Sequence, residues 1–192
     1  MKQETDLYRG MVLVRSILRM DPRCADDVDD SPQGFWASLR LGAMVFPVYL
    51  IQMLASQAQD PAATNSEPVF WLVFQALLYA LGWLVFPVIM DPVTRILGCH
   101  ERWQRYIISF NWLHLPLAAV LLPIVLLSTV GGMPMQALAL PVLMAAVAFM
   151  GYHGFVARRM LGVDTITAVG LVILELLVSL MVNNGIPTAL GY

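Results

Sequence analysis

The longest run without a charged side chain covers 52 residues, from Tyr106 to Ala157. A transmembrane helix needs about 20 mostly apolar residues, so this run is too long for one span and long enough for two. The sequence Gly-Gly-Met-Pro at 131–134 is a turn signal inside the run. Two spans are therefore predicted, at about 106–130 and 137–156.

Three further apolar stretches complete a five-span pattern. Spans are predicted at about 41–57, 68–90 and 165–183, and only the last contains a charged residue, Glu175. Hydrophobic residues make up 59% of the chain and charged residues 12%, against roughly 45–50% and about 25% in soluble domains. This excludes a soluble globular enzyme, a disordered regulator and a fibrous protein. We predict an all-α integral membrane bundle of five transmembrane helices.

The basic residues predict how the spans are oriented. Six of the 11 precede the first span, three lie between the second and third spans, and two lie between the fourth and fifth. All of them therefore fall on one side of the membrane, which the positive-inside rule identifies as the cytoplasm. We expect the N-terminus inside and the C-terminus outside. The net charge of -2 gives no reason to expect a nucleic-acid partner.

A cytoplasmic N-terminal segment is predicted over 1–34, ahead of a transmembrane domain over 35–192. Residues 7–20 have the apolar spacing of a short amphipathic helix, which lies either at the membrane surface or against the protein's own cytoplasmic loops. Residues 21–34 form an acidic linker. Its aspartates could bind a divalent cation, but the glycine and distal glutamate of a calcium loop are missing, which favours a solvated acidic loop.

Glu175 is the one acidic residue well inside a predicted span. An ionised carboxylate at this depth costs about 3 kcal/mol, so we expect its side chain to face the bundle. Asn111 and His114 share a face of the third span at a similar depth, and Ser179 shares the face of Glu175. We predict an intramembrane polar group of these four residues, in which Glu175 is bonded to His114.

The predicted polar group has two interpretations. Its structural role is to hold two helices together, and its functional role is a proton or ion relay. The structural role is favoured, because one acid and one imidazole are too few to trace a path across the bilayer. Contact with lipid head groups is a separate prediction for the basic loop residues, which are Arg95, Arg102, Arg105, Arg158 and Arg159.

Catalytic and cofactor motifs are missing from the sequence. It contains no GxSxG, HExxH, P-loop or GxGxxG pattern and no cluster of cysteine and histidine with metal-ligand spacing. We therefore predict no enzymatic activity, no cofactor and no metal.

Three segments resemble the Yip-domain family of membrane proteins that interact with Ypt/Rab GTPases. They are LVRSILRMDPRCADDVDDSPQGFWASL, RILGCHERWQRYIISFNWLHLPL and FMGYHGFVARRMLGVDTITAVGLVIL. The resemblance implies five spans and, for the bacterial branch, an inner-membrane protein with a periplasmic C-terminus. Residues 6–10 read DLYRG, which departs from the DLYGP-type motif of the eukaryotic members. Rab binding is therefore not implied.

The function expected from these features is that of a scaffold, assembly or accessory factor. Such a protein acts through contacts with lipid and with a membrane protein partner or a second copy of itself. The alternative is a small transporter or channel component that uses the predicted pair of Glu175 and His114.

Overall fold

The computed structural model describes residues 2–59, 68–129 and 131–185, and its secondary structure in these ranges is helical throughout. Five of the helices are long and apolar enough to cross a membrane, and a short helix precedes them, as predicted. A π-helical turn at Met181–Gly185 follows the last one. The helices are α1 Lys2–Leu18, α2 Pro32–Gln59, α3 Pro68–Ile96, α4 Trp103–Thr129, α5 Met135–Leu161 and α6 Thr165–Leu180.

Local chemistry fixes the turn between α5 and α6. Gly162 has a φ of 72°, a left-handed conformation that favours glycine, and its amide donates to the Arg158 carbonyl at the end of α5. Asp164 then accepts a hydrogen bond from the Thr167 amide at 3.2 Å and caps the start of α6. The two helices are thereby joined by a turn of residues 162–164, so they run antiparallel as neighbours.

Packing is concentrated at one end of the bundle. We call it the basic end, because the basic residues of α1 and of the α3–α4 and α5–α6 turns lie there. The buried core draws on α1, on residues 106–113 of α4 and on residues 156–161 of α5. The opposite half is open by comparison. In the outer half of α5 (136–148), Leu138 alone is buried among the described residues.

The helix α1 packs across the basic end of the spans. Leu13 and Ile17 are almost completely buried, and the ring of Trp112 in α4 packs directly on Gly10. The Tyr152 hydroxyl of α5 donates to the Leu18 carbonyl at 3.3 Å. Of the two predicted environments, the buried face of α1 therefore packs against the protein itself, where it contacts α4 and α5 as well as the acidic linker.

The other face of α1 is open. Tyr8 and Met11 are 70% and 56% exposed, and Arg15 and Arg19 are exposed beside them. This face carries the mixture of apolar and basic side chains that suits the membrane interface. Contact of α1 with the membrane surface stays a prediction for this face alone.

The acidic linker holds α1 and α4 in place. Asp29 accepts a bond from Arg9 of α1 at 2.6 Å, and Asp30 accepts one from Arg105 of α4 at 2.8 Å. Hydrogen bonds from Ser31 and from Arg9 hold the pKa of Asp29 below its ordinary value. Within the described ranges, no three or more His, Cys, Asp or Glu side chains are grouped so as to hold a metal ion. Two of the linker's carboxylates thus serve as partners for arginines.

Candidate functional site

A histidine and a glutamate meet between α5 and α6. The His153 Nδ1 lies 2.6 Å from one carboxylate oxygen of Glu175 and 2.7 Å from the other. The side chains are 8% and 19% exposed. At 1.5 Å per residue, His153 lies about 12 Å from the end of α5 and Glu175 about 15 Å from the start of α6. Because these helices form an antiparallel hairpin, the two residues reach the same depth.

This geometry gives Glu175 a different partner from the predicted one. His114 lies nearby, with its ring centroid 6.1 Å from that of His153, but its Nδ1 lies 3.0 Å from the Phe110 carbonyl of its own helix. The predicted fourth span, at 137–156, includes His153 but assigns it no role. In the structure α5 continues to Leu161, so His153 lies within the span.

The other two members of the predicted polar group lie elsewhere. The Asn111 amide donates to the Ser38 hydroxyl at 3.1 Å, and both residues are buried between α4 and α2. Ser179 is exposed on α6, where its hydroxyl accepts from the Asn183 amide at 3.3 Å. Asn111 and Ser179 therefore make separate contacts, one between two helices and one within the end of the last span.

Aromatic rings surround the histidines. The Phe110 ring lies 5.0 Å from the rings of both His114 and His153, centroid to centroid. The Trp83 ring of α3 lies 4.9 Å from that of His114. In the described part of the chain, the buried His153 Nε2 has no hydrogen-bond partner. We call His153, Glu175, His114, Phe110 and Trp83 the His–Glu site.

The arginines predicted to contact lipid head groups also have roles inside the protein. Arg159 lies over the Phe155 ring at 5.8 Å from its centroid, and Arg158 is exposed. The other three donate to partners at the basic end, and their contact with lipid stays a prediction. These pairs are Arg95 with Asp91 at 3.0 Å, Arg102 with the Leu161 carbonyl at 2.9 Å, and Arg105 with Asp30 at 2.8 Å.

The length and composition of the five helices decide the class of this protein. It is a multi-span membrane protein. No family model, curated protein or solved structure matches the chain. The His–Glu site is therefore interpreted from its own geometry.

The sequence contains a signal for the pairing of His153 with Glu175. In an antiparallel helical hairpin, residues at similar distances from the turn face one another. His153 precedes the Gly162 turn and Glu175 follows it at comparable separations. Chemically, the pair can hold a proton between an imidazole and a carboxylate inside the membrane, because apolar surroundings disfavour an unpaired charge.

Proposed function

We propose that this chain is a non-enzymatic accessory protein of a bacterial inner membrane, which acts through lateral contacts with another membrane protein or a second copy of itself. One observation carries the proposal. The outer half of α5 is exposed on nearly every side, although it belongs to a helix whose other half is tightly packed.

The residues of the outer half suit contact with another helix. Leu140, Leu143 and Met144 are 65%, 60% and 65% exposed. Four alanines are also exposed in this half, at positions 137, 139, 146 and 148. Small residues let helix backbones approach closely in membranes, where van der Waals packing drives association. An outer half of this composition therefore suits a helix supplied by a partner as well as lipid.

Two pockets of the structure lie apart from the His–Glu site. One pocket of about 20 Å³ lies between α1, the acidic linker and Trp112. Another of about 400 Å³ lies between the α3–α4 and α5–α6 turns and is lined by Arg102 and Asp164. Both lie at the basic end, and neither is lined by Glu175 or His153.

The resemblance to the bacterial Yip-domain branch supports the same proposal. Its expectation of a cytoplasmic N-terminal segment agrees with the basic end, where Arg9 of α1 lies with Arg102 and Arg105. We propose that this end faces the cytoplasm. The outer half of α5 then lies in the periplasmic leaflet.

A photo-crosslinking amino acid at Leu143 is expected to give a discrete protein adduct in native membranes. The matched control is the same substitution at Val169, which is 52% exposed at the basic end of α6. We expect the Val169 adduct to be several-fold weaker. The mass of the adduct distinguishes a second copy from another protein. Lipid adducts alone at both positions would contradict the proposal.

A further inference from the structure

We propose that His153 and Glu175 form an intramembrane proton-binding site that takes up and releases one proton per chain. The inference is independent of the proposed lateral contacts. It rests on three observations within the described residues: the short contacts of His153 Nδ1, the buried and unpartnered His153 Nε2, and the aromatic surroundings.

The hydrogen-bond geometry determines where a proton can be held. An ionised carboxylate only accepts, so when Glu175 is ionised the His153 Nδ1, at 2.6–2.7 Å, donates its N–H to it. The His153 Nε2 then carries a lone pair when the imidazole is neutral. In that state the pair has a net charge of -1. One proton added at Nε2 makes the pair an ion pair with no net charge.

The surroundings favour the protonated state. A net charge at this depth is disfavoured by a few kcal/mol, whereas in an ion pair in contact the mutual attraction offsets much of the desolvation cost. The extra N–H at Nε2 would lie among the rings of Phe110 and His114, with the Phe110 centroid 5.0 Å from that of His153. An aromatic face accepts an N–H weakly, which leaves the proton exchangeable rather than locked in place.

Two titratable groups on α4 face the pair. Tyr106 is buried, and its ring centroid lies 6.1 Å from that of Phe110, which packs against His153. The His114 Nδ1 lies 3.0 Å from the Phe110 carbonyl, and a carbonyl only accepts, so its Nε2 keeps a lone pair in the neutral imidazole. From α3, Trp83 faces His114 and carries no titratable group.

Loss of the proton would leave one negative charge within the hairpin of α5 and α6. That charge must then be hydrated or the hairpin must shift, because the surrounding rings offer no cation. Proton binding by the His153–Glu175 pair is therefore coupled to the packing of α5 against α6.

The test is a nitrogen NMR titration of the full chain, labelled with ¹⁵N-histidine, in lipid nanodiscs. Over a titration that starts in the ordinary imidazole range and extends above it, we expect the His153 ring signals to change from imidazolium to neutral imidazole. His153→Asn assigns the signals. Glu175→Gln is expected to weaken proton binding at His153 by about tenfold or more, since an adjacent carboxylate favours the charged imidazole.

The control is Glu101→Gln, which neutralises an exposed carboxylate at the basic end and is expected to leave the His153 titration unchanged. Thermal stability of Glu175→Gln checks that the variant is folded, and the Leu143 crosslink is measured in parallel. His153 signals that stay constant over the range, or that titrate identically in Glu175→Gln, would overturn the proton site. Either result would leave the crosslink, and with it the proposed function, unaffected.

Discussion

Replacing Gly10 with leucine is expected to detach α1 from the spans. The Trp112 ring occupies the space that a Cβ at this position needs, and that ring is itself buried in the core. Overpacking of this kind typically destabilises by about 1–3 kcal/mol. Here the ring cannot withdraw, because it belongs to the packed half of α4. We therefore expect the whole helix to move rather than one side chain.

Alkylation of Cys24 reports the detachment. Cys24 is fully buried in the core that includes α1, and burial raises the pKa of its thiol, so it should react slowly in the parent protein. In a Cys99→Ser background, Gly10→Leu is expected to accelerate labelling by about tenfold or more, the factor that corresponds to about 1.4 kcal/mol. Gly82→Leu is the matched control, because a Cβ at Gly82 meets nothing within 4 Å. Labelling of Gly10→Leu at the parent rate would contradict the docking of α1.

The second large expected effect is a difference in stability between variants of the two partners, His153 and Glu175. We expect His153→Leu to lower the free energy of unfolding by about 3 kcal/mol, because it leaves the Glu175 carboxylate unpaired within the span. Glu175→Leu leaves a neutral imidazole and should cost about 1 kcal/mol. The hydrogen bond itself contributes little of this difference, since interhelical polar contacts in membranes average about 0.6 kcal/mol.

The double variant separates these contributions. Replacing both His153 and Glu175 with leucine removes the unpaired charge, so its stability should exceed that of His153→Leu. The measurement is reversible unfolding in bicelles, with the four proteins compared as a double-mutant cycle. If the two single effects are equal and add in the double variant, the pairing of these side chains is contradicted.

The spans could be predicted from the sequence because hydropathy and length are sufficient to identify them. In lipid, an apolar segment must form its backbone hydrogen bonds internally, and it therefore folds as a helix. The run from Tyr106 to Ala157 was divided at the turn where the structure also separates α4 from α5. The ends of the spans could not be placed as well. Apolar character stops at 156, but α5 continues through Arg158 and Arg159, whose long side chains reach outward while the backbone stays helical.

Glu175 could be predicted from the sequence, but its partner could not. Glu175 could be singled out, because a carboxylate within a span is costly wherever the helices pack. Its partner depended on which neighbour faces it, and α5 and α4 both present a histidine near that depth. Depth alone favoured His114, whereas the antiparallel hairpin of α5 and α6 brings His153 closer. The sequence also does not determine whether α1 lies on the membrane or on the protein. The Trp112 ring packs on Gly10, and residues so far apart in the chain are brought together only by the fold.

The central claim is that His153 is the partner of Glu175 within the membrane, and a solid-state NMR distance tests it most directly. Nitrogen-labelled histidine and carboxyl-labelled glutamate would be introduced into the full chain in lipid bilayers, with His153→Asn and His114→Gln used to assign the histidine signals. The structure predicts strong dephasing of the His153 Nδ1 by the Glu175 carboxyl carbon, as required by nitrogen–oxygen contacts of 2.6 and 2.7 Å. Strong dephasing at His114 with none at His153 would contradict the pair and the proton site built on it.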